Sequence, residues 1–358
     1  MRSRADYPCI FSSCRALLCL LSLTLGGCSS LQYLWQAGEG QMALVSHARP
    51  IPDVLRDEKT PPRIRRLLAE ITAVKTFGEK NGLKPTSNYQ DYVQLDRPSV
   101  VWAVSACKPL EFKSQEWHFP IVGSFPYLGW FHHENAKNFA QSLRAEGWDV
   151  DVRGVGAYST LGWFRDAVLS TMISEGPDAL GDLVNVVLHE SVHATVYIAG
   201  QSVFNESLAS FVADHLTVSY LDQFRGPESD EKQSYLKRVE RWRQMQARLH
   251  AVYLELEKLY AGAEAAPEKL ERKKHILSQA QSELHLKADV NNATLVQYKT
   301  YSTGGQEFDR LLHACGSDWS RFIAAAKALS GRDFAQSQMQ DLNPTLLQAI
   351  KSCQGHGQ

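Results

Sequence analysis

Between Asp178 and Gly200 apolar residues fall on nearly every side of a helical period: Leu180, Leu183, Val184, Val187, Leu188, Val192 and Val196 leave little room for a wet face. Pro177 precedes the run and Gly200 ends it, the usual asymmetry of helix termini, so the pattern predicts a buried helix over 178–200. A second helix is predicted from Asn205 as N-cap to about Tyr220, with Glu206 in its first turn. Farther on, Val239, Trp242, Leu249, Val252, Leu256 and Leu259 step by threes and fours or their sums, with charges between them. Gly262 to Pro267 breaks that run and Glu268 to His285 resumes it, which predicts a long helical hairpin. Upstream the pattern is mixed. Arg63 to Gly82 reads as an amphipathic helix, and Ser99 to Cys107 as a buried β-branched strand. Glu134 to Glu146 reads as a helix closed by Gly147, and Trp148 to Val155 as an alternating strand. Phe119 to Phe131, with aromatic and Gly punctuation, suits a strand with tight turns or a loop. Together these predict an α+β, predominantly helical fold with a small sheet in its N-terminal lobe and the hairpin in its C-terminal part.

The first residues carry a different signal. Arg2, Arg4 and Arg15 precede the apolar run Ala16 to Leu25, which is too short to span a membrane and has the shape of a secretory leader. It ends in Leu25-Gly26-Gly27-Cys28, which resembles a bacterial lipobox with Cys28 as the lipidated mature N-terminus; the plainer reading is a leader cut near Gly27. Ser29 after the cysteine, rather than Asp, fits sorting to the outer membrane. The expected organisation is a leader over 1–27, a lipid-anchored linker with polar and Pro-rich stretches over 28–62, and one domain over 63–358. Within that domain an α/β lobe covers 63–177, a helix pair 178–220, the hairpin 230–286 and a helical remainder 287–358. The expected location is the bacterial cell envelope, facing the periplasm.

Cysteine usage and charge add limits. Cys9, Cys14 and Cys19 belong to the leader, and after Cys28 only Cys107, Cys315 and Cys353 remain, too few and too scattered for a disulfide framework. A single Cys315–Cys353 bridge is compatible with an oxidising periplasm. The net charge of -1 gives no reason to expect nucleic acid.

The buried helix contains His189-Glu190-Ser191-Val192-His193. Two imidazoles four apart share one face and can share one metal, while the intervening carboxylate sits beside that metal rather than on it. This is the layout of a zinc hydrolase, in which the Glu works on water. From His193 the helix runs seven residues to Gly200, roughly 10 Å. The six steps on to Glu206 can extend up to about 20 Å. An antiparallel return therefore reaches the histidines, and His189, His193 and Glu206 become three ligands with a fourth position open to water. The alternative for Glu206 is an ordinary first-turn acid favoured by the helix dipole.

Several separated segments converge on a family: Trp117 to Gly123 (WHFPIVG), Tyr127 to Phe131 (YLGWF), Ala157 to Phe164 (AYSTLGWF), the H-E-x-x-H, Phe204-Asn205-Glu206-Ser207 and Asn291-Asn292-Ala293. With the lipobox, and in this order, they resemble the bacterial family of predicted aminopeptidase lipoproteins with a zinc-peptidase signature. The resemblance implies a zincin-like peptidase that binds one Zn2+. Within the motif Ser191-Val192 replaces the more usual Leu-Ala, and Ala213 stands where an acid is expected, a support that Asp214 could supply instead.

The expected chemistry is hydrolysis of a peptide substrate, with Glu190 as general base. The developing oxyanion needs a donor, for which Tyr301 is the first candidate and Tyr158 the second. Asn291 and Asn292 either bind substrate backbone or hydrogen-bond a loop. A sheet edge near Val155 to Ser159 could hold the substrate by strand addition. Three classes stay open: an aminopeptidase, an envelope endopeptidase or amidase, and a non-enzymatic binding lipoprotein. The hairpin either packs on itself and the catalytic lobe or docks an envelope protein.

Overall fold

The computed structural model describes residues 28–119, 123–157, 165–300 and 304–355. It divides into two units, residues 1–46 and residues 47–358. The first contributes α1 (Cys28–His47), where a linker was expected. The stretch holds no Pro, and its Leu, Gln, Ala and Met residues are good helix formers.

The second unit opens with β1 (Arg49–Pro50), α2 (Ile51–Arg56), α3 (Pro62–Leu68) and α4 (Ile71–Lys80). The single amphipathic helix expected over 63–82 is thus two, broken at Ala69-Glu70. The strands β2 (Asp91–Val93), β3 (Val101–Cys107), β4 (Trp117–Phe119), β5 (Gly123–Phe125) and β6 (Tyr127–Trp130) follow, then α5 (His133–Ala145), β7 (Asp149–Val155) and β8 (Val168–Leu169). Gly147 ends the α5 segment at φ 88°, a left-handed conformation open to glycine at little cost. The remainder is helical: α6 (Ala179–Thr195), α7 (Ser202–Arg225), α8 (Asp230–Ala261), α9 (Ala266–Glu283), α10 (Asn292–Thr300), α11 (Gly305–Ala314), α12 (Trp319–Lys327) and α13 (Asn343–Gly355). With 61% helix and only small sheets, the chain is α+β as expected.

Among the described residues there are three sheets. In the β6-β3-β7 sheet both pairings are antiparallel, with Val104 opposite Leu128 on one side and Val152 on the other. The β4–β5 pair is a hairpin. In the third sheet β2 pairs antiparallel with β1 and parallel with β8, joining segments about 75 residues apart in sequence.

The core of this unit centres on α6 and α7. Leu183, Val184, Val187, Leu188 and Val192 are buried against Phe204, Leu208, Val212, Leu216 and their neighbours. Fully burying each such side chain contributes about 1.5–3 kcal/mol. The α4 helix closes one side, with Phe77 edge-on to Tyr220 at 5.5 Å, and the Tyr220 hydroxyl donates to Glu70 at 2.9 Å. The hairpin of α8 and α9 packs on itself through Leu249, Val252, Leu256, Leu277 and Ala280. Lys273 ties it to the sheet by pairing with Asp149 and donating to the Pro109 carbonyl.

Cys315 and Cys353 form a disulfide that fastens α13 to the end of α11. Closing a loop of 38 residues contributes about 4 kcal/mol by chain entropy. Cys107 is free and wholly buried, and burial pushes its thiol up to about 12. Alkylation should therefore modify none of Cys107, Cys315 and Cys353 under native conditions. Denaturant alone should expose Cys107, and denaturant with reductant all three, read by mass spectrometry of the peptides that carry them.

Candidate metal centre

The α6 helix stops at Thr195, five residues earlier than its apolar pattern predicts. Val196 turns to extended backbone, and the Thr195 hydroxyl, which donates to the Ser191 carbonyl, accepts from the Lys84 N–H. The connection 196–201 then turns back, and α7 starts at Ser202. Asn205 is consequently not the N-cap but a buried residue of the first turn. Its amide clamps Ile198 from both sides: the Ile198 N–H donates to Oδ1 at 2.9 Å and Nδ2 donates to the Ile198 carbonyl at 2.9 Å. Gly200 turns the connection with φ 75°. A strap from the C-terminal part fixes the same turn. The Gln338 N–H donates to the Gly200 carbonyl at 2.8 Å, Gln201 donates to the Gln336 carbonyl, and Ser202 N–H donates to Gln338.

The result brings Glu206 to the histidines. His189 Nε2 and His193 Nε2 lie 3.2 Å apart. The Glu206 carboxylate is 3.4 Å from the first and 3.7 Å from the second. All three side chains are largely enclosed. Among the described residues these three form the group of metal-type donors, with Glu190 outside it.

The donor set fits a metal. Two neutral imidazoles and a carboxylate are zinc ligands, and ligands held about 2.0–2.1 Å from a tetrahedral ion lie roughly 3.3 Å from one another. The spacings between the His nitrogens and the carboxylate are close to that edge. Electrostatics point the same way. Burial acts to raise the Glu206 carboxyl, but His193 and His189 outweigh it and hold it well below the usual carboxylate range. Glu206 is thus an anion in a mostly closed site, facing two nitrogens.

Glu190 has the opposite character. Burial pushes its carboxyl up to about 7, with His189 opposing and Glu206 and Asp166 adding to the rise. Two acids near one centre therefore differ widely in proton affinity, the usual mark of divided roles. Asp166 and Tyr89 approach Glu190 through the small parallel sheet. The Tyr89 N–H donates to the Asp166 carbonyl at 2.6 Å, and Asn88 and Asp166 exchange two further hydrogen bonds at 3.3 and 3.1 Å. Tyr89 has φ 62°, an uncommon conformation for a tyrosine, and its buried phenol lies in the field of Glu190 and Asp166. Tyr197, in the turn after α6, lies in the field of Glu206, and burial and that charge push its phenol up to about 12. No periodicity in the sequence marks these three residues, which short strands and a turn bring toward the site.

Residues 32–340 match the protein family described as "Putative aminopeptidase". The chain belongs to that family. No curated protein and no solved structure matches it.

Other expected site residues of this aminopeptidase-family chain fall differently. Asn292 is wholly buried: its Nδ2 donates to the Lys108 and Pro109 carbonyls and its Oδ1 accepts from Tyr260. Asn291 donates to the Val150 carbonyl at 3.0 Å and accepts from the Thr294 N–H. The pair ties α10 to the sheet and the hairpin through these bonds. A buried amide that met substrate instead would leave those backbone carbonyls unpaired. Asp214 does not support a histidine either; it accepts from Asn185 at 2.9 Å and from Tyr235. Position 213 lies on the Glu206 face of α7, two turns on, and Asp214 is rotated about 100° from it. His193 Nδ1 is buried with no hydrogen-bond partner among the described residues. Tyr158, Tyr301 and most of the Ala157–Phe164 segment lie outside the described residues, and the described α1 segment does not include the Cys28 side chain. The expected substrate edge near Val155 begins at β7, one of the two outer strands of its sheet among the described residues.

Asn205→Ala should expose the dependence of the site on its turn. It removes two buried hydrogen bonds and should lower stability by about 1–3 kcal/mol. With His189, His193 and Glu206 all in place it should weaken zinc binding through the loosened turn, by less than removal of one of those donors does. Chelator competition and thermal melting measure the two effects.

Proposed function

We propose that this chain is a zinc-dependent peptidase of the bacterial cell envelope, acting as an aminopeptidase, with a zincin-like centre formed by His189, His193 and Glu206. The observation that carries the reading is the convergence of three donors from α6 and α7, with Glu190 beside them and outside the set. A zinc ion held there would act as a Lewis acid on the carbonyl and bring water toward deprotonation near neutral pH. Glu190 accepts the proton of the attacking water and returns it to the departing amine. Its high proton affinity suits a group that must both take and give a proton at neutral pH. Tyr301 or Tyr158 donates to the oxyanion, and Tyr197 is a third candidate beside Glu206.

The family name supports aminopeptidase activity. The leader ending in Gly27-Cys28 supports lipid anchoring in the envelope, and among the described residues no helix is long and apolar enough to cross a membrane. Paired peptides with free and acetylated N-termini test the exopeptidase assignment on the zinc-loaded chain. Release of the first residue from the free peptide alone is expected. Internal cleavage of both peptides would make the chain an endopeptidase.

A further inference from the structure

The α1 helix exposes apolar side chains. Leu34, Trp35, Met42 and Val45 are exposed, Trp35 to 77%, whereas Gln36 and Gln41 are buried. On a helical period the four exposed apolar residues share an arc of about 100°. That is the reverse of the arrangement expected for a helix bathed in water. The helix carries no Lys or Arg, and its only acid is Glu39. It is also the first element after the leader, beginning at Cys28 itself.

We infer that α1 lies along the surface of a lipid bilayer, with Leu34, Trp35, Met42 and Val45 in the boundary between headgroups and acyl chains. The direction of this inference rests on the proposed lipid attachment at Cys28, which puts the start of the helix at the membrane. A tryptophan beside aliphatic side chains suits that boundary, where one end of the ring is apolar and the other is wet. With no cationic residue on the helix, apolar burial and not attraction to anionic lipid holds it there. The partner is therefore lipid in general, and binding should vary little with salt. The stripe adds a second membrane contact to the acyl anchor and fixes the first twenty residues of the mature chain along the bilayer.

The test uses the mature chain from residue 28 with Cys28→Ser, so that no acyl group is present. It is sedimented with vesicles of phosphatidylethanolamine and phosphatidylglycerol. The chain should partition to the vesicles equally at low and high salt. Combined substitution of Leu34, Trp35, Met42 and Val45 by Ser should lower partitioning at least about tenfold, with circular dichroism and melting temperature unchanged. Failure of the unacylated chain to bind, binding that the Ser variant retains, or self-association in solution through the stripe would each overturn the inference. Mass analysis of the protein extracted from bacterial membranes separates it from the anchoring proposal. An acylated Cys28 with no vesicle binding sinks only the stripe, and vesicle binding with an unmodified Cys28 sinks only the anchor.

Discussion

Glu190→Gln should keep its zinc and lose its hydrolysis. The amide has the shape of the carboxylate but cannot accept a proton from water, so the expected fall in kcat is about 10²–10⁴-fold, with little change in KM. Zinc content should match wild type, because Glu190 stands outside the donor set. Elemental analysis and steady-state kinetics on one preparation measure both. Equal turnover would remove the general-base role; loss of zinc would make Glu190 a ligand. The metal-free chains give a separate check by thermal melting. Burial raises Glu190 from 4.5 to about 7, so its contribution to stability is full below about pH 4.5 and lost as pH rises through 7. Without metal, Glu190→Gln should melt several degrees above wild type near pH 8, and the gap should close toward pH 5.

His193→Ala should empty the centre. His193 is the more deeply buried of the two histidines and the first opposing influence that keeps the buried Glu206 carboxyl ionised. Its removal deletes one of the three proposed ligands and leaves Glu206 poorly compensated in a closed site. The loss of zinc affinity should exceed that of Asn205→Ala, which leaves all three donors in place, and hydrolysis should fall to background. Isothermal titration with zinc, run beside Asn205→Ala, orders the two effects. If His193→Ala binds zinc as well as Asn205→Ala does, His193 is not a ligand.

The parts of the fold that the sequence announced are those set by local chemistry. The β-branched run ending at Cys107 became β3, and the hydrophobic steps from Val239 to Leu259 became α8. The metal donors were legible because His189 and His193 are related by one helical period and Glu206 by chain reach alone. What escaped was set by distant partners. A parallel pair of two residues between β2 and β8 has no pattern of its own, and with the bonds from Asn88 and Tyr89 to Asp166 it brings Tyr89 and Asp166 toward Glu190. Asn205 looked like a cap because Asn is a good one; its real partner, Ile198, lies in a turn whose place depends on Gln338, more than 130 residues away. Asn291 and Asn292, which the sequence leaves open to substrate backbone or to a loop, donate to the carbonyls of Val150 in β7 and Lys108 just after β3.

A diverse peptide library incubated with the zinc-loaded chain and read by mass spectrometry asks whether the His189–His193–Glu206 centre hydrolyses peptide bonds. Cleavage products should appear, disappear on chelation, return with added zinc and be absent for Glu190→Gln. A zinc-occupied protein that cleaves nothing, or cleavage indifferent to the chelator and to Glu190→Gln, would contradict a hydrolytic role for the centre.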